Sequence, residues 1–415
     1  MKFDNIIIGG GLSGLVCGLR LQKAGKKCAV VSAGQNAMHF FSGGFGLLSR
    51  LEDGTEVEEP LKAVPELAES HPYRKIGAEK MAKYAEEAKA LLSGCGLPLS
   101  GDASRNGYVL SATGTLKPAW LALDDVAFLH GKDEKIAAKA LVVNIEGFMD
   151  FNTSFIASEL EKRGTVCRVA AVTTDELSKI RRNPTEMRSS NIAKVMENEK
   201  VRNEFVSRVN ALVKDEDCVV LPAVFGLKSY ASVDDVRKKL GIKTIFVGTL
   251  PPSVAGVRSQ RQLKEAFIAA GGVFLMGDEV VSVSMDGNSV KSVKTENLGD
   301  VELSADNYVL ATGSYFGHGL LSEIDGVREP VFGLDVEFDG DRNSWYSPDF
   351  FAKQPFMGFG VRTGNAFRGM KNGSEISNLY AVGSVLGGCN SLYQGCGAGV
   401  AIMTAFSVSD SILGR

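Results

Sequence analysis

The first apolar residues of the chain form two short continuous runs with a stretch of helical period between them. The first run, Asn5-Ile6-Ile7-Ile8, stops at Gly9-Gly10-Gly11-Leu12-Ser13-Gly14. Leu12, Leu15, Val16 and Leu19 then share one helical face, and Gly25 closes the stretch before Cys28-Ala29-Val30-Val31. Short unbroken apolar runs read as strands covered on both faces, and the three-to-four spacing reads as an amphipathic helix. Strand, glycine turn, helix, strand is the order of a dinucleotide-binding βαβ unit. Gly9 allows the tight turn, Gly11 lets the backbone approach a pyrophosphate, and Gly14 lets helix and strand pack closely. Amides at the helix start hold the anion.

The same pattern predicts the elements that follow. Ala78 to Leu92 reads as an amphipathic helix ending near Gly94. Ala138–Ile145, Phe155–Arg163 and Val166–Val172 repeat strand, helix, strand, but the turn Glu146-Gly147-Phe148 has no phosphate-binding fingerprint. Residues 181–215 are charged and helical, with Ser189-Ser190-Asn191 as the cap region. Cys218–Leu221 and Thr244–Val247 are further buried strands. Leu250 to Arg258 is a rigid proline turn before a helix bearing Leu263, Ala266, Phe267 and Ala270, which Gly271-Gly272 ends. A strand and a hairpin around Asp286-Gly287 follow. Leu303–Leu310 then runs into Ala311-Thr312-Gly313-Ser314.

That second half resembles a flavoprotein with two dinucleotide motifs, in which the Ala-Thr-Gly turn packs near the first glycine loop. Near the C-terminus Asn378–Val382 leads into Gly383-Ser384, and Gln394-Gly395-Cys396-Gly397 precedes a helix expected from Ala398. The positive start of such a helix stabilises charge on a reduced flavin. The fold class is therefore α/β, a Rossmann-like FAD/NAD(P)-binding flavoprotein fold with an inserted α/β cap or substrate domain. Its expected divisions are 1–54 (N-terminal βαβ part), 55–250 (insert), 251–320 (second flavin part), 321–374 (substrate-side strands) and 375–415 (last strand and helix).

Two positions depart from this pattern. The second strand of a dinucleotide fold ends in an acid that binds ribose, and here Ser32 stands in that place. Ser384 replaces the acid that follows the later glycine. The loop His39-Phe40-Phe41-Ser42-Gly43-Gly44-Phe45-Gly46 suits backbone lying against a flat ring or a phosphate.

Composition narrows the function. The chain has 415 residues, 44% of them hydrophobic and 23% charged, with a net charge of -3. Nothing in that balance favours nucleic acid. No apolar run approaches the roughly 18 residues needed to span a bilayer, and no secretory signal is expected. The seven cysteines contain no CxxC pair and the four histidines no metal-spaced pair. No metal centre or iron–sulfur cluster is expected in this chain.

With these residues assembled, the chain resembles the B-subunit family of anaerobic glycerol-3-phosphate dehydrogenases. The resemblance runs through Phe3-Asp4 to Gly14, Ser42-Gly43, His71-Pro72-Tyr73 and Gly147-Phe148-Met149-Asp150-Phe151. It continues in Thr249-Leu250-Pro251-Pro252-Ser253-Val254, Gly277-Asp278-Glu279-Val280, Arg328-Glu329-Pro330, Gly383 to Gly388 and Gln394 to Gly397. It implies a flavoprotein that carries FMN, with FAD as the alternative. The partners it implies are a membrane-anchoring iron–sulfur subunit, together with a FAD-containing catalytic subunit. The complex would oxidise sn-glycerol 3-phosphate to dihydroxyacetone phosphate and pass electrons to menaquinone or fumarate. The chain would then be cytoplasmic, held at the inner face of the membrane by its partners. A flavin relay or scaffold subunit that does not itself oxidise substrate is the alternative.

The expected flavin contacts are Gly9, Gly10, Gly11, Leu12, Ser13, Gly14, Ser32, Ser42, Gly43, Val280, Ala311, Thr312, Gly313, Gly383, Ser384, Gly395, Cys396 and Gly397. A dianionic phosphate ester calls for arginine, and the candidates are Arg258, Arg261, Arg328 and Arg362. The hydroxyl proton needs a base, for which His39 and His318 are the candidates.

Overall fold

The computed structural model describes residues Met1–Arg415. Its central sheet is built on the strand Lys2–Ile8, which pairs in parallel with Cys28–Ser32 on one side and Glu302–Leu310 on the other. Val273–Met276 extends the sheet beyond Cys28–Ser32, and Ser374–Ala381 pairs in parallel with Glu302–Leu310. The hairpin Val280–Asp286/Ser289–Thr295 adds antiparallel strands at that side. Ile6, Ile7, Ala29, Val30, Val309 and Leu310 are all inaccessible, as expected of parallel strands covered on both faces. The helix Leu12–Lys23 packs on the C-terminal helix Gly397–Leu413 and on Val254–Ala269. Gly18 permits the second contact: a Cβ there would lie 3.1 Å from the Phe267 ring.

A second sheet, wholly parallel, has the order Val166–Val172, Lys139–Ile145, Cys218–Pro222, Lys243–Val247. Its helices carry side-chain N-caps at Asn152, Thr174 and Asn198. The helix Ser189–Met196 differs from expectation. Arg188 occupies its N-cap with no side-chain bond, and Ser189 is instead buried in a hydrogen bond with Thr249.

The expected insert at 55–250 divides between two hydrophobic cores. Val57 to Ala103 and Ala119 to Val126 pack into the core of the main sheet, while the second core draws on Tyr108 to Val247. Two three-stranded antiparallel sheets within 44–129 join these halves, with strands of two to four residues. The substrate-side strands expected over 321–374 are mostly two-residue pairings among turns; only Arg368–Lys371 is longer, and it joins the main sheet.

Candidate functional site

The carboxyl ends of the central strands open into one cleft of about 1330 Å³. Most expected flavin contacts border it: Gly9 to Ser13, Ser32, Ser42, Val280, Ala311 to Gly313, Ser384, Gly395 and Gly397. The volume exceeds the roughly 300–1,000 Å³ usual for one small-molecule pocket, so an extended ligand has room.

Close packing explains the glycines at the turn. Gly9 has φ +121°, and a Cβ there would lie 2.1 Å from the Ala311 carbonyl oxygen. A Cβ on Gly14 would lie 1.9 Å from the Gly9 carbonyl oxygen. Gly14 therefore lets the helix approach the strand and does not itself border the cleft. Gly11 differs, since a Cβ there meets nothing within 4 Å. Its missing side chain leaves free space at the N-terminus of the helix Leu12–Lys23, where an anion is favoured.

The other end of the cleft is built by two loops stitched together. The Gly46 carbonyl accepts from the Gly399 amide at 2.8 Å, and a Cβ on Gly46 would lie 2.2 Å from the Gly395 carbonyl oxygen. The Ser49 amide donates to the Gln394 carbonyl at 2.8 Å. The helix Gly397–Leu413 starts there, one residue earlier than expected, with Gly397, Ala398 and Ala401 on the cleft. Its Gly399 amide is taken by Gly46 and its Val400 amide by Cys396. The amides of Gly397 and Ala398 are left for a ligand.

Gly43, Gly383 and Cys396 lie behind the walls. A Cβ on Gly43 would meet Val126 at 2.6 Å, and one on Gly383 would meet the Ser13 hydroxyl at 2.6 Å. Cys396 is fully buried and does not border the cleft.

The end nearest the second strand carries neutral groups and, one strand further, acids. Ser32 is buried against Gly10. Asn36 donates to the Gly10 carbonyl at 2.8 Å and accepts from the Met38 amide at 3.0 Å. Both line the cleft, as do Asp278 and Glu279. The amides of Gly277 and Asp278 both donate to the Ser32 carbonyl, which places the acidic pair beside the missing acid's position. Asn36 had no pattern signal. The acidic pair could have been suspected from its place directly after the strand next to Cys28–Ser32.

The catalytic candidates separate sharply. His318 borders the cleft, with backbone φ 58°. His39 does not; its Nε2 is bonded to Gln260. Arg258 is fully buried and paired with Asp125, so it cannot meet a substrate phosphate. Arg328 pairs with Glu323 and Arg261 with Glu265 away from the cleft, and Arg362 does not border it either. Two other arginines do lie on the cleft, Arg163, which is paired with Glu159, and Arg50, and no sequence pattern marks either.

One group of metal-type donors converges: His71, Cys389 and Cys396, all buried, with ligand atoms within 4.8 Å of one another. His71 Nδ1 accepts the Tyr73 amide at 3.0 Å, which places the ring proton of a neutral imidazole on Nε2. That nitrogen then has no lone pair to offer a cation. Burial keeps the ring neutral, with its pKa pushed down to about 3.

The fold and cleft together are those of a flavin-binding oxidoreductase, and comparison with known proteins agrees. Residues 4–400 match the FAD binding domain family. The chain is 38% identical over 416 residues to the anaerobic glycerol-3-phosphate dehydrogenase B-subunit of Pectobacterium atrosepticum, covering 100% of this chain and 99% of the relative. It is 39% identical to the B-subunit of Yersinia enterocolitica, covering 100% and 98%. Among solved structures it is similar to a 3-ketosteroid dehydrogenase from Rhodococcus jostii, with TM-score 0.41 and 10% identity over 99% of this chain and 96% of that one. The chain belongs to the B-subunit family of anaerobic glycerol-3-phosphate dehydrogenases, within the FAD-binding domain proteins. No helix is long and apolar enough to cross a membrane.

Proposed function

We propose that this chain is the FAD-holding subunit of an anaerobic glycerol-3-phosphate dehydrogenase that oxidises sn-glycerol 3-phosphate to dihydroxyacetone phosphate. The full-length match to relatives named as the B-subunit of that enzyme carries the reading. FAD replaces the FMN expected from the sequence, because the matched family is FAD-binding and the cleft runs past the glycine turn to Ser32 and Asn36. FAD, when bound, supplies the two-electron acceptor for the substrate's C2–H bond.

The chain's own residues bind and orient. Gly10 and Gly11 would hold the pyrophosphate beside the turn that Gly9 makes, Ser32 and Asn36 would offer neutral hydrogen bonds on the ribose side, and the Gly397 and Ala398 amides would hold the pyrimidine edge. His318 takes the proton from the substrate hydroxyl, a role worth roughly 10²–10⁴ in rate. Electrons would pass through an iron–sulfur partner to menaquinone or fumarate. That partner, beside a second FAD-containing protein, would also hold this chain at the inner face of the cell membrane.

The test is acid release and chromatography of the flavin from purified chain, followed by anaerobic addition of glycerol 3-phosphate. FAD and bleaching of its absorbance are expected, with bleaching lost in His318→Gln while the flavin is retained. Recovery of FMN would overturn the cofactor assignment. FAD without bleaching would favour the relay reading, which the exposed setting of His318 makes the second choice.

A further inference from the structure

The two ends of the cleft differ in charge. Asp278 and Glu279 line the end beside Ser32. Of the other cations of the wall, Lys132 pairs with Glu56 and Arg163 with Glu159, while Lys117 has no carboxylate in salt-bridge range; Glu58 is held by Arg105. Arg50 borders the cleft with no carboxylate in salt-bridge range and no side-chain hydrogen bond. Its cross-strand neighbour Glu56 is the carboxylate taken by Lys132.

Arg50 is nevertheless held in place. Its guanidinium lies 5.2 Å from the centre of the Tyr393 ring, and the Lys353 ammonium lies 5.9 Å from the same centre. Lys353 also lacks a carboxylate partner. Arg50 follows Ser49 and Tyr393 precedes Gln394, the two residues that stitch the loop to the start of the C-terminal helix. Arg50 is therefore an unmatched cation held against an aromatic ring on the cleft, and the exposed Lys353 lies near the same ring from outside the cleft lining. A cation held on a cleft wall without a counterion favours a bound anion.

We propose that Arg50, positioned by Tyr393 and assisted by Lys353, is the subsite for the phosphate of a phosphomonoester substrate. The inference rests on the reading of the chain as a flavoprotein that oxidises glycerol 3-phosphate. A guanidinium fork matches two phosphate oxygens, and the acidic far end of the cleft repels the same dianion.

The test uses the purified full chain with its flavin. Calorimetry reads binding of inorganic phosphate and of glycerol 3-phosphate, with glycerol as the neutral control, while absorbance reads flavin content. Arg50→Met should weaken binding of both phosphate probes about ten- to hundredfold, the range of a charge-assisted hydrogen-bonded pair. Lys353→Met should weaken it less, and Arg50→Lys should restore part of the loss. Flavin content should stay at the wild-type level in all three. Wild-type affinity in Arg50→Met overturns the proposal, as does a wild-type chain that does not bind phosphate. Loss of flavin in place of phosphate would reassign Arg50 to the cofactor and overturn it too. A wild-type chain without flavin that still binds phosphate through Arg50 would instead sink the flavin reading alone.

Discussion

Gly11 is where the free space of the cleft meets the backbone most directly. A methyl group there touches nothing in the protein, whereas one on Gly9 would strike the Ala311 carbonyl at 2.1 Å. The two alanine variants therefore separate ligand binding from folding. Gly9→Ala should destabilise the fold by several kcal/mol, about the scale of overpacking plus an unfavourable positive φ. Gly11→Ala should leave the unfolding midpoint of the flavin-free protein within about 0.5–1 kcal/mol of the wild type. It should still weaken flavin binding by at least tenfold, about 1.4 kcal/mol. Fluorescence titration of the apoprotein with FAD checks this, and unchanged affinity in Gly11→Ala would show that no pyrophosphate passes over the turn. Spacing alone made this part of the site legible, since a glycine turn between strand and helix has few other uses. Spacing could not give Arg50, because a lone arginine in an acidic loop has no pattern. Its significance comes from Tyr393, which is distant in sequence.

At the level of elements, long periodic segments were the most legible. Val166–Val172 is a strand over the residues its pattern marks, and the C-terminal helix begins one residue before the expected Ala398. The short strands between Leu99 and Leu129 left no trace, since three or four residues hold too little alternation to read. The edge strand Val166–Val172 depends on a contact that sequence does not show. Arg168 Nε bonds Glu216 at 2.6 Å and its Nη2 bonds the Leu212 carbonyl at 2.5 Å, tying the strand to the end of the helix Glu199–Leu212. Glu216 also accepts the Lys214 amide at 2.7 Å. The Arg168 bond is the main cause that holds the Glu216 carboxyl down to about 2 from an ordinary 4.5. A depressed acid stabilises the fold above its unfolded value and loses that contribution as pH falls towards its folded value. Arg168 is a third exposed, so the contribution is about 1 kcal/mol after solvent screening. Glu216→Gln should therefore lower stability near pH 7, and the difference from wild type should shrink as pH drops from 4.5 towards 2. Urea unfolding across that range measures it; a pH-independent difference would mean that packing, not charge, is what the substitution removes.

The whole molecule is two hydrophobic cores sharing one cleft, and the buried ion pair between Arg258 and Asp125 links them. Arg258 stands on the helix Val254–Ala269 of the first core. Its Nη1 donates to the carbonyls of Phe225 and Gly226 in the second, at 3.3 and 3.0 Å. Asp125 lies in the crossing from one core to the other and also accepts the Tyr230 hydroxyl at 2.5 Å, while the Arg258 guanidinium sits 4.3 Å from the Tyr230 ring centre. The sequence offered Arg258 as a phosphate ligand because its burial and its partner 133 residues away are products of the fold. Breaking such a pair strands a charge in a dry interior. Arg258→Met should cost about 3–5 kcal/mol, and Asp125→Leu a similar amount. Replacing both removes the two desolvation penalties together, so the double variant should be clearly more stable than the sum of the single losses predicts, by about 1–3 kcal/mol. Because Tyr108, Lys117 and Lys132 form the cleft wall beyond this link, both single variants should also bind FAD more weakly. Denaturant unfolding and FAD titration of all four proteins complete the cycle. Additive losses would mean that Arg258 and Asp125 act separately, and that shape complementarity alone keeps the two cores aligned over the cleft.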